Sequence, residues 1–461
     1  MKDLQQALSE SGMQGMLDNP EREIQLLTGI AERMLDQARA GGADAAAISV
    51  SSSLGRHVTV RLGDIDVLED ARDRGLSLTV YCKRSSGTVS TADMSPDALD
   101  QAVEQALAIA RHTQPDPAGG LADADQMAKD TSGDFDIWHP QRFEMAELIA
   151  RATEMEQAGL EFDQQVTNSE GASVSANASL GVYANTHGFN GHAQRTHYGQ
   201  HCVLVARDDS GMQRDWDWDD QRRWDLLTDP ATTGLGAARK TLRRLGARKA
   251  PTGPSLVLFN TDTALGLIRH LVGAVSGGNL YRRSSFLLDK AGQSVFPDWV
   301  DIGEQPHRPA GQRSSRFDSE GVATSDQPLV EGGVLSRYVL SSYSARKLGL
   351  ETTANAGGVR NLMFKPGDQS QDDLIRSMQR GLVVTELMGQ GVNLVTGDYS
   401  RGASGYWVEN GEIAYPVEEV TIAGNLADMF KQLQAAGSDV ESRRNIQVPS
   451  LLVDGMTIAG E

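Results

Sequence analysis

The sequence predicts an α+β fold: an N-terminal half that mixes helices with an antiparallel sheet, then a glycine-rich, mainly β C-terminal half. Three observations carry this. Runs of alternating apolar residues come in groups, with helical periodicity between the groups. The stretch Lys249-Ala250-Pro251-Thr252-Gly253-Pro254 breaks both periods and marks a boundary. Beyond it, glycine-containing turns between short strands dominate. The chain is therefore divided into a loosely held leader (1–20), an α+β domain (21–250) and a β-rich domain (251–461).

Taken in order, the first firm helix is expected from about Arg22 to Ala40, because Leu27, Ala31, Met34 and Ala38 recur on one face and Gly41-Gly42 supplies a left-handed stop. The sets Ala46/Ile48/Val50, Val58/Val60/Leu62 and Leu76/Leu78/Val80/Cys82 alternate, which predicts three half-buried antiparallel strands with Cys82 on the buried side. Ser95-Pro96-Asp97 opens a helix to His112, with Ser95 placed to accept orphan backbone donors and Pro96 suited to the first helical position. A loop rich in Pro, Gly and Asp, Gln114 to Gly133, leads to a helix from about Gln141 to Ala158, closed by Gly159. Strands are expected over Val166 to Arg207 and a basic helix over Thr232 to Arg248. In the second half Ser255 to Phe259 reads as a strand. Glu331-Gly332-Gly333 reads as a turn, and Glu409-Asn410-Gly411-Glu412 as a hairpin.

Composition narrows the function classes. Lys plus Arg number 43 against 62 Asp plus Glu, a net charge of −19, so the surface repels phosphates and duplex binding is not expected. No membrane span is expected, since even the apolar run Leu267–Val275 carries Arg269 and His270. Met1–Gln6 shows no basic segment leading into an apolar one, so no secretory signal is expected. Cys82 and Cys202 make no disulfide framework, which suits a reducing cytoplasm.

The candidate chemistry is sparse. His187, His192, His197 and His201 crowd one region, yet His197 and His201 stand ~13 Å apart on an extended strand, too far for joint ligation, and are read as exposed polar residues. Lys240-Thr241 lacks a P-loop, Gly389-Gln390-Gly391 lacks the third glycine of a dinucleotide fingerprint, and Ser400 is read as a turn residue. Glu386 sits in a run that should be buried, so it needs a cation or backbone donor. A helix is expected from Asp262 to Ser276, capped by Thr261 or Asp262. Its stripe is Leu265, Ile268, Val272 and Val275, and its other side, poor in bulk, carries Gly266, His270, Gly273 and Ala274. Such a side should be covered by a backbone or a ligand. Tyr281-Arg282-Arg283 follows as an orienting group or a solvated loop.

Gly266–Phe286, Ser341–Gly349, Gly381–Gly391, Thr396–Gly405 and Val420–Leu426, in that order, resemble the modulator-of-gyrase peptidase family, specifically its PmbA (TldE) branch. The resemblance spans nearly the whole chain. It implies a cytoplasmic subunit that pairs with a TldD-like paralogue in a zinc peptidase acting on small or unfolded peptides. In that paralogue's branch the metal sits on a His-Glu-x-x-x-His helix with a cysteine near the C-terminus. Aligning that helix here puts Arg269, His270 and Ala274 at the three positions, and Asn445–Ser450 holds no cysteine. A guanidinium and a methyl group have no lone pair to give a metal.

The expectation is therefore a catalytically degenerate subunit with no catalytic or metal-binding residues of its own, His270 being the one candidate. No cofactor is expected in this chain, and zinc is expected in the partner. Two rival readings stand beside it. One is an autonomous metallopeptidase with ligands drawn from His270, His307, Asp318 and Glu320; the other is a regulatory, protein-binding module without peptidase role. Whether the chain forms a homodimer when its partner is absent stays open.

Overall fold

The computed structural model of the chain describes residues 15–460. Most of the expected leader, residues 1–14, lies outside them. Gly15–Asp18 forms a short helix (α1) before α2 (Pro20–Ala40), whose expected stripe Leu27, Ala31, Met34 and Ala38 is fully buried.

Alternation builds one antiparallel sheet from β1 (Ala45–Arg61), β2 (Asp64–Cys82), β3 (Ser85–Thr91), β4 (Val166–Asn185), β5 (Asn190–Asp208) and β6 (Gly211–Gln221), in the order β3-β2-β1-β4-β5-β6. Two of the three strands expected early in the chain are one. Ala46–Val50 and Val58–Arg61 belong to β1, because the serine-rich stretch between them keeps its alternation, with Ser52 fully buried. The hairpin falls at Leu62-Gly63, both at positive φ, as a two-residue turn requires.

Even-numbered residues such as Ile48, Val58, Leu78, Val174 and Leu204 point to one face. There they are buried under α2, α3 (Pro96–His112), α4 (Met145–Leu160) and α5 (Pro230–Leu242). Odd-numbered residues form the opposite face, which is small and polar: Ser49, Ser51 and His57 on β1, Ser173 and Ser175 on β4, Gly199 and His201 on β5. Among the described residues no helix packs on this side.

Helix boundaries carry four corrections. Ser95 precedes α3 without a side-chain capping bond; α4 starts later than expected, at Met145, behind a capping box of Glu144 and Glu147. Gly159 does not stop α4 but lies inside it, where a Cβ would strike Leu204 and the Gly234 carbonyl of α5. The basic helix ends early, at Leu242.

The second half holds β7 (Gly253–Phe259), β12 (Arg380–Met388), β13 (Asp398–Glu409), β14 (Glu412–Asn425), β15 (Leu433–Ala436) and β17 (Leu451–Ala459). They run β14-β13-β12-β7-β17-β15, and β14 also pairs with β17, so five of them close on themselves. The Asn410-Gly411 hairpin forms as expected, with φ of 53° and 76°. Ser400 is in β13 rather than a turn. A smaller sheet, β10-β9-β8-β11-β16, lies beside them: β8 (Ile302–Glu304), β9 (Gln327–Glu331), β10 (Val334–Leu335), β11 (Leu362–Phe364) and β16 (Ile446–Gln447).

Helix α6 (Thr261–Ala274) packs Leu265, Ile268 and Leu271 into the core of this half with Phe259, Leu382 and Val384. Its cap is Asn260, one residue before the expected candidates; Asn260 Oδ1 accepts from the Thr263 amide at 3.0 Å. The small side of α6 is only partly covered. Leu394 reaches Gly273 and Ala274 is fully buried, whereas Gly266 has open space before it.

Candidate functional site

Because α6 is pinned at its start, and Thr263 Oγ1 also donates to the Val384 carbonyl at 3.0 Å, its third turn is held where the two halves meet. Arg269 projects there into a cleft of about 660 Å³. The opposite wall is the uncovered sheet face, with His57, Ser175 and His201 and the tryptophans Trp216 and Trp218 of β6. The third wall is Arg443-Arg444-Asn445, which leads into β16. Thus the motif helix and the C-terminal element that the resemblance linked do meet at one cleft.

The guanidinium groups are held differently. Arg443 and Arg444 lie against the Trp218 ring, at 4.2 and 4.7 Å from its centroid. Arg443 donates to Glu441 and to the Trp218 carbonyl, and the Glu441 carboxylate keeps it firmly charged. Arg444 is bonded to Asp262 at 2.6 Å. Arg269 forms no hydrogen bond or ion pair with any described residue; partial burial and then Arg444 push its pKa down. His201 is held neutral by burial.

His270, half-buried on the next position of α6, points elsewhere. Its ring meets Tyr399 edge-on at 6.1 Å, and its Nε2 is buried with no hydrogen bond. Burial, then Arg401, lowers its pKa, so it is a neutral imidazole. Zinc needs several nitrogen, sulfur or oxygen donors converging at bonding distance. Here the motif positions offer one imidazole, a guanidinium and a methyl group, a set that does not fit the ion. Among the described residues no three His, Cys, Asp or Glu side chains are grouped to hold a metal.

The other residues of the rival metallopeptidase reading, His307, Asp318 and Glu320, are each engaged locally. His307 stacks on Phe135 and bonds Thr324 at 3.0 Å; the Asp318 carboxylate accepts backbone amides of Glu320, Val322 and Ala356; Glu320 accepts the Ser342 amide. The crowded histidines do not converge either: His197 faces Asp220 at 3.5 Å, His192 is exposed on the other face of β5, and only His201 of the four lines the cleft. Arg282 and Arg283 are exposed in a turn, with Arg282 on the Tyr281 hydroxyl. Glu386 does have its cation, Arg244 at 2.7 Å. Cys202 is buried and its thiol pushed up to about 12, while Cys82 is half-buried.

Sequence reasoning missed Trp216, Trp218, Arg443 and Arg444. The signal was there in Asp215-Trp216-Asp217-Trp218-Asp219, whose alternation puts both indoles on one face of a strand.

Fold and cleft define a class of chain: a helix-backed antiparallel sheet whose polar face makes an open cleft with a motif helix and the segment leading into β16 of a β-rich second half. Family models for the PmbA/TldA metallopeptidase match three consecutive stretches, domain 1 over 46–110, the central domain over 138–245 and the C-terminal domain over 252–460. The chain is 44% identical over 422 residues to the "Metalloprotease PmbA" of Escherichia coli O157:H7, covering 91% of this chain and 93% of that protein. It is 42% identical over 446 residues to a PmbA homolog of Haemophilus influenzae, covering 96% and 98%. A crystal structure of a putative modulator of DNA gyrase from Bacteroides thetaiotaomicron superposes with a TM-score of 0.90 at 26% identity, covering 94% of this chain and 99% of that one. TldE from Thermococcus kodakarensis shares the fold, with a TM-score of 0.82 at 20% identity, covering 94% and 100%. The chain belongs to the PmbA/TldD metallopeptidase family.

Proposed function

We propose that this chain is the non-catalytic partner of a zinc metallopeptidase pair and supplies one wall of the chamber that receives small or unfolded peptides. The observation that carries the reading is the donor set on α6, where Arg269 and Ala274 occupy two of the three positions a metal-binding helix would use. Hydrolysis at zinc requires protein ligands, an activated water and a base. In this reading a TldD-like paralogue with His-Glu-x-x-x-His provides them, in the cytoplasm.

What this chain contributes is binding. Trp216 offers a flat apolar face to substrate side chains, while the Trp218 ring holds Arg443 and Arg444 at the cleft wall. The serine and glycine rows of the uncovered sheet face let an extended main chain lie close without selecting its sequence. The net charge of −19 disfavours nucleic acid as the ligand.

The test is purification of this chain alone, of the paralogue alone, and of both together, with zinc counted on each and cleavage of a disordered peptide followed. The pair is expected to cleave better than the paralogue alone, zinc to follow the paralogue, and chelation to abolish the pair's activity. Stoichiometric zinc in the isolated chain, with cleavage lost in His270→Ala, overturns the reading.

A further inference from the structure

The uncovered sheet face carries a second cavity, of about 340 Å³. His57, Ser175 and Gly199 form a cross-strand row in the first cleft, and Ser51, Gly181 and Ala193 form a row in the second. The rows are six residues apart along β1, ~20 Å at the rise of a strand. Gln312 borders both cavities, so the two lie end to end on one surface.

Four arginines line this second cavity: Arg195 from β5, Arg222 just after β6, and Arg313 and Arg360 from the second half. In a chain with 62 acidic residues, none of the four has a carboxylate within ion-pair reach among the described residues. Arg222 and Arg360 are 6% and 5% exposed, and the Nε of each is buried with no hydrogen bond. Their remaining nitrogens donate to backbone carbonyls, Arg222 to Thr196 and Gln312, Arg360 to Gly358 and Phe317. Arg195 donates only to the Ser179 hydroxyl at 3.2 Å, and Arg313 to the Gly357 carbonyl at 3.0 Å.

The carboxylates that act on these arginines from further off are Asp220, Asp318 and Glu304. Asp220 faces His197 at 3.5 Å; Asp318, which also lines the cavity, accepts three backbone amides; and Glu304 holds Arg337, the Asn355 side chain and the Arg360 amide. Burial pushes Arg222 down to about 10, with Arg195 the next cause, and Arg313 adds to the lowering of both Arg195 and Arg360. Guanidinium groups without a paired carboxylate that repel one another in a partly dry cavity cost folding energy, and a bound anion would offset that repulsion by attracting each of them.

We infer that this cavity is an oxyanion site, which takes a carboxylate of an acidic, extended peptide lying along the sheet from the first cleft. Guanidinium forks suit a carboxylate's two oxygens, and the serine hydroxyls around them add donors. That the ligand is a peptide rests on the function proposed above; that it is an oxyanion rests on the four arginines alone.

The experiment uses the isolated full chain. A fluorescein-labelled disordered peptide carrying paired glutamates is titrated beside its glutamine counterpart, with inorganic phosphate as the small-oxyanion competitor, on wild type and on Arg195→Gln/Arg313→Gln. Those two side chains are exposed, so the double variant should unfold no earlier than wild type. The glutamate peptide is expected to bind about tenfold tighter than the glutamine one, to be displaced by phosphate, and to lose that advantage in the double variant. Equal binding of both peptides with no phosphate binding that depends on Arg195 and Arg313, or undiminished binding of the glutamate peptide by the double variant, overturns the site. Phosphate binding lost in the double variant without any preference for the glutamate peptide overturns the peptide assignment. No arm involves the paralogue, so failure of the pair to assemble is read separately.

Discussion

Asp318 is 2% exposed and its carboxylate accepts the amides of Glu320 at 2.8 Å, Val322 at 3.0 Å and Ala356 at 2.9 Å. Burial outweighs those bonds and pushes its pKa up to about 6. A carboxyl whose folded pKa lies above its unfolded value favours the folded state when protonated, so its contribution is present below about pH 4 and is lost as pH rises through about 6. The difference is on the order of 3 kcal/mol. The expected outcome is that wild-type stability, relative to Asp318→Asn, falls by about that amount between about pH 4 and about pH 7 and is flat above, as read from urea unfolding at each pH. At this scale the sequence was informative about chemistry that is absent, since Arg269 and Ala274 cannot ligate a metal in any conformation. It was silent on pairing, since nothing local ties Arg444 to Asp262 or leaves Arg269 without a partner.

Helices α4 and α5 touch through glycines. A Cβ at Gly159 would meet Leu204 and the Gly234 carbonyl, and one at Gly234 would meet the Met155 carbonyl. Alanine is the better helix former by about 1 kcal/mol, but overpacking this contact costs about 1–3 kcal/mol and should win at Gly234, where the clash is with backbone. Gly29 on α2 is the opposite case, exposed with open space around it. Gly234→Ala is therefore expected to lower the urea midpoint and Gly29→Ala to raise it, by about 0.5–1 kcal/mol in the second case. If both move the same way, the close approach of α4 and α5 is wrong. The periodicity of α2 and α3 and the Asn-Gly hairpin were legible because each depends on neighbours a few residues away. The end of α4 was misread because a glycine that stops a helix and one that lets a second helix approach look alike in one dimension.

The two halves are also joined by two polar contacts outside the linings of both cavities. At one, the Pro-, Gly- and Asp-rich loop after α3 lies on α7 (Ser342–Leu348): Asp116 bonds Lys347 at 2.9 Å and Tyr343 at 2.8 Å, and Arg346 donates to the Leu121 carbonyl. At the other, Glu386 of β12 meets Arg244 at 2.7 Å, with side chains 14% and 9% exposed. Asp215 stays beside Arg244, at 3.5 Å, when Glu386 is removed, so Glu386→Ala is expected to cost about 1–3 kcal/mol, while Arg244→Met/Glu386→Leu recovers part of it. A double-mutant cycle in urea checks both, and additivity would show that the pair is not coupled. Such joints were not readable from sequence, although the buried setting of Glu386 required a cation of some kind.

The sequence by itself determined the periodicities, the boundary near residue 250, the hairpins and the missing donors on α6. These follow from residue chemistry and from spacing over one or two turns of chain. Only the tertiary structure decided that one sheet face has no helix packed on it, that Arg269 shares a cleft with Trp218, Arg443 and Arg444, and that four arginines without a paired carboxylate share a cavity beside them. Those groups come from segments far apart in the chain, and what brings them together is the burial of the opposite, apolar face, whose packing leaves the polar face to be walled by the second half.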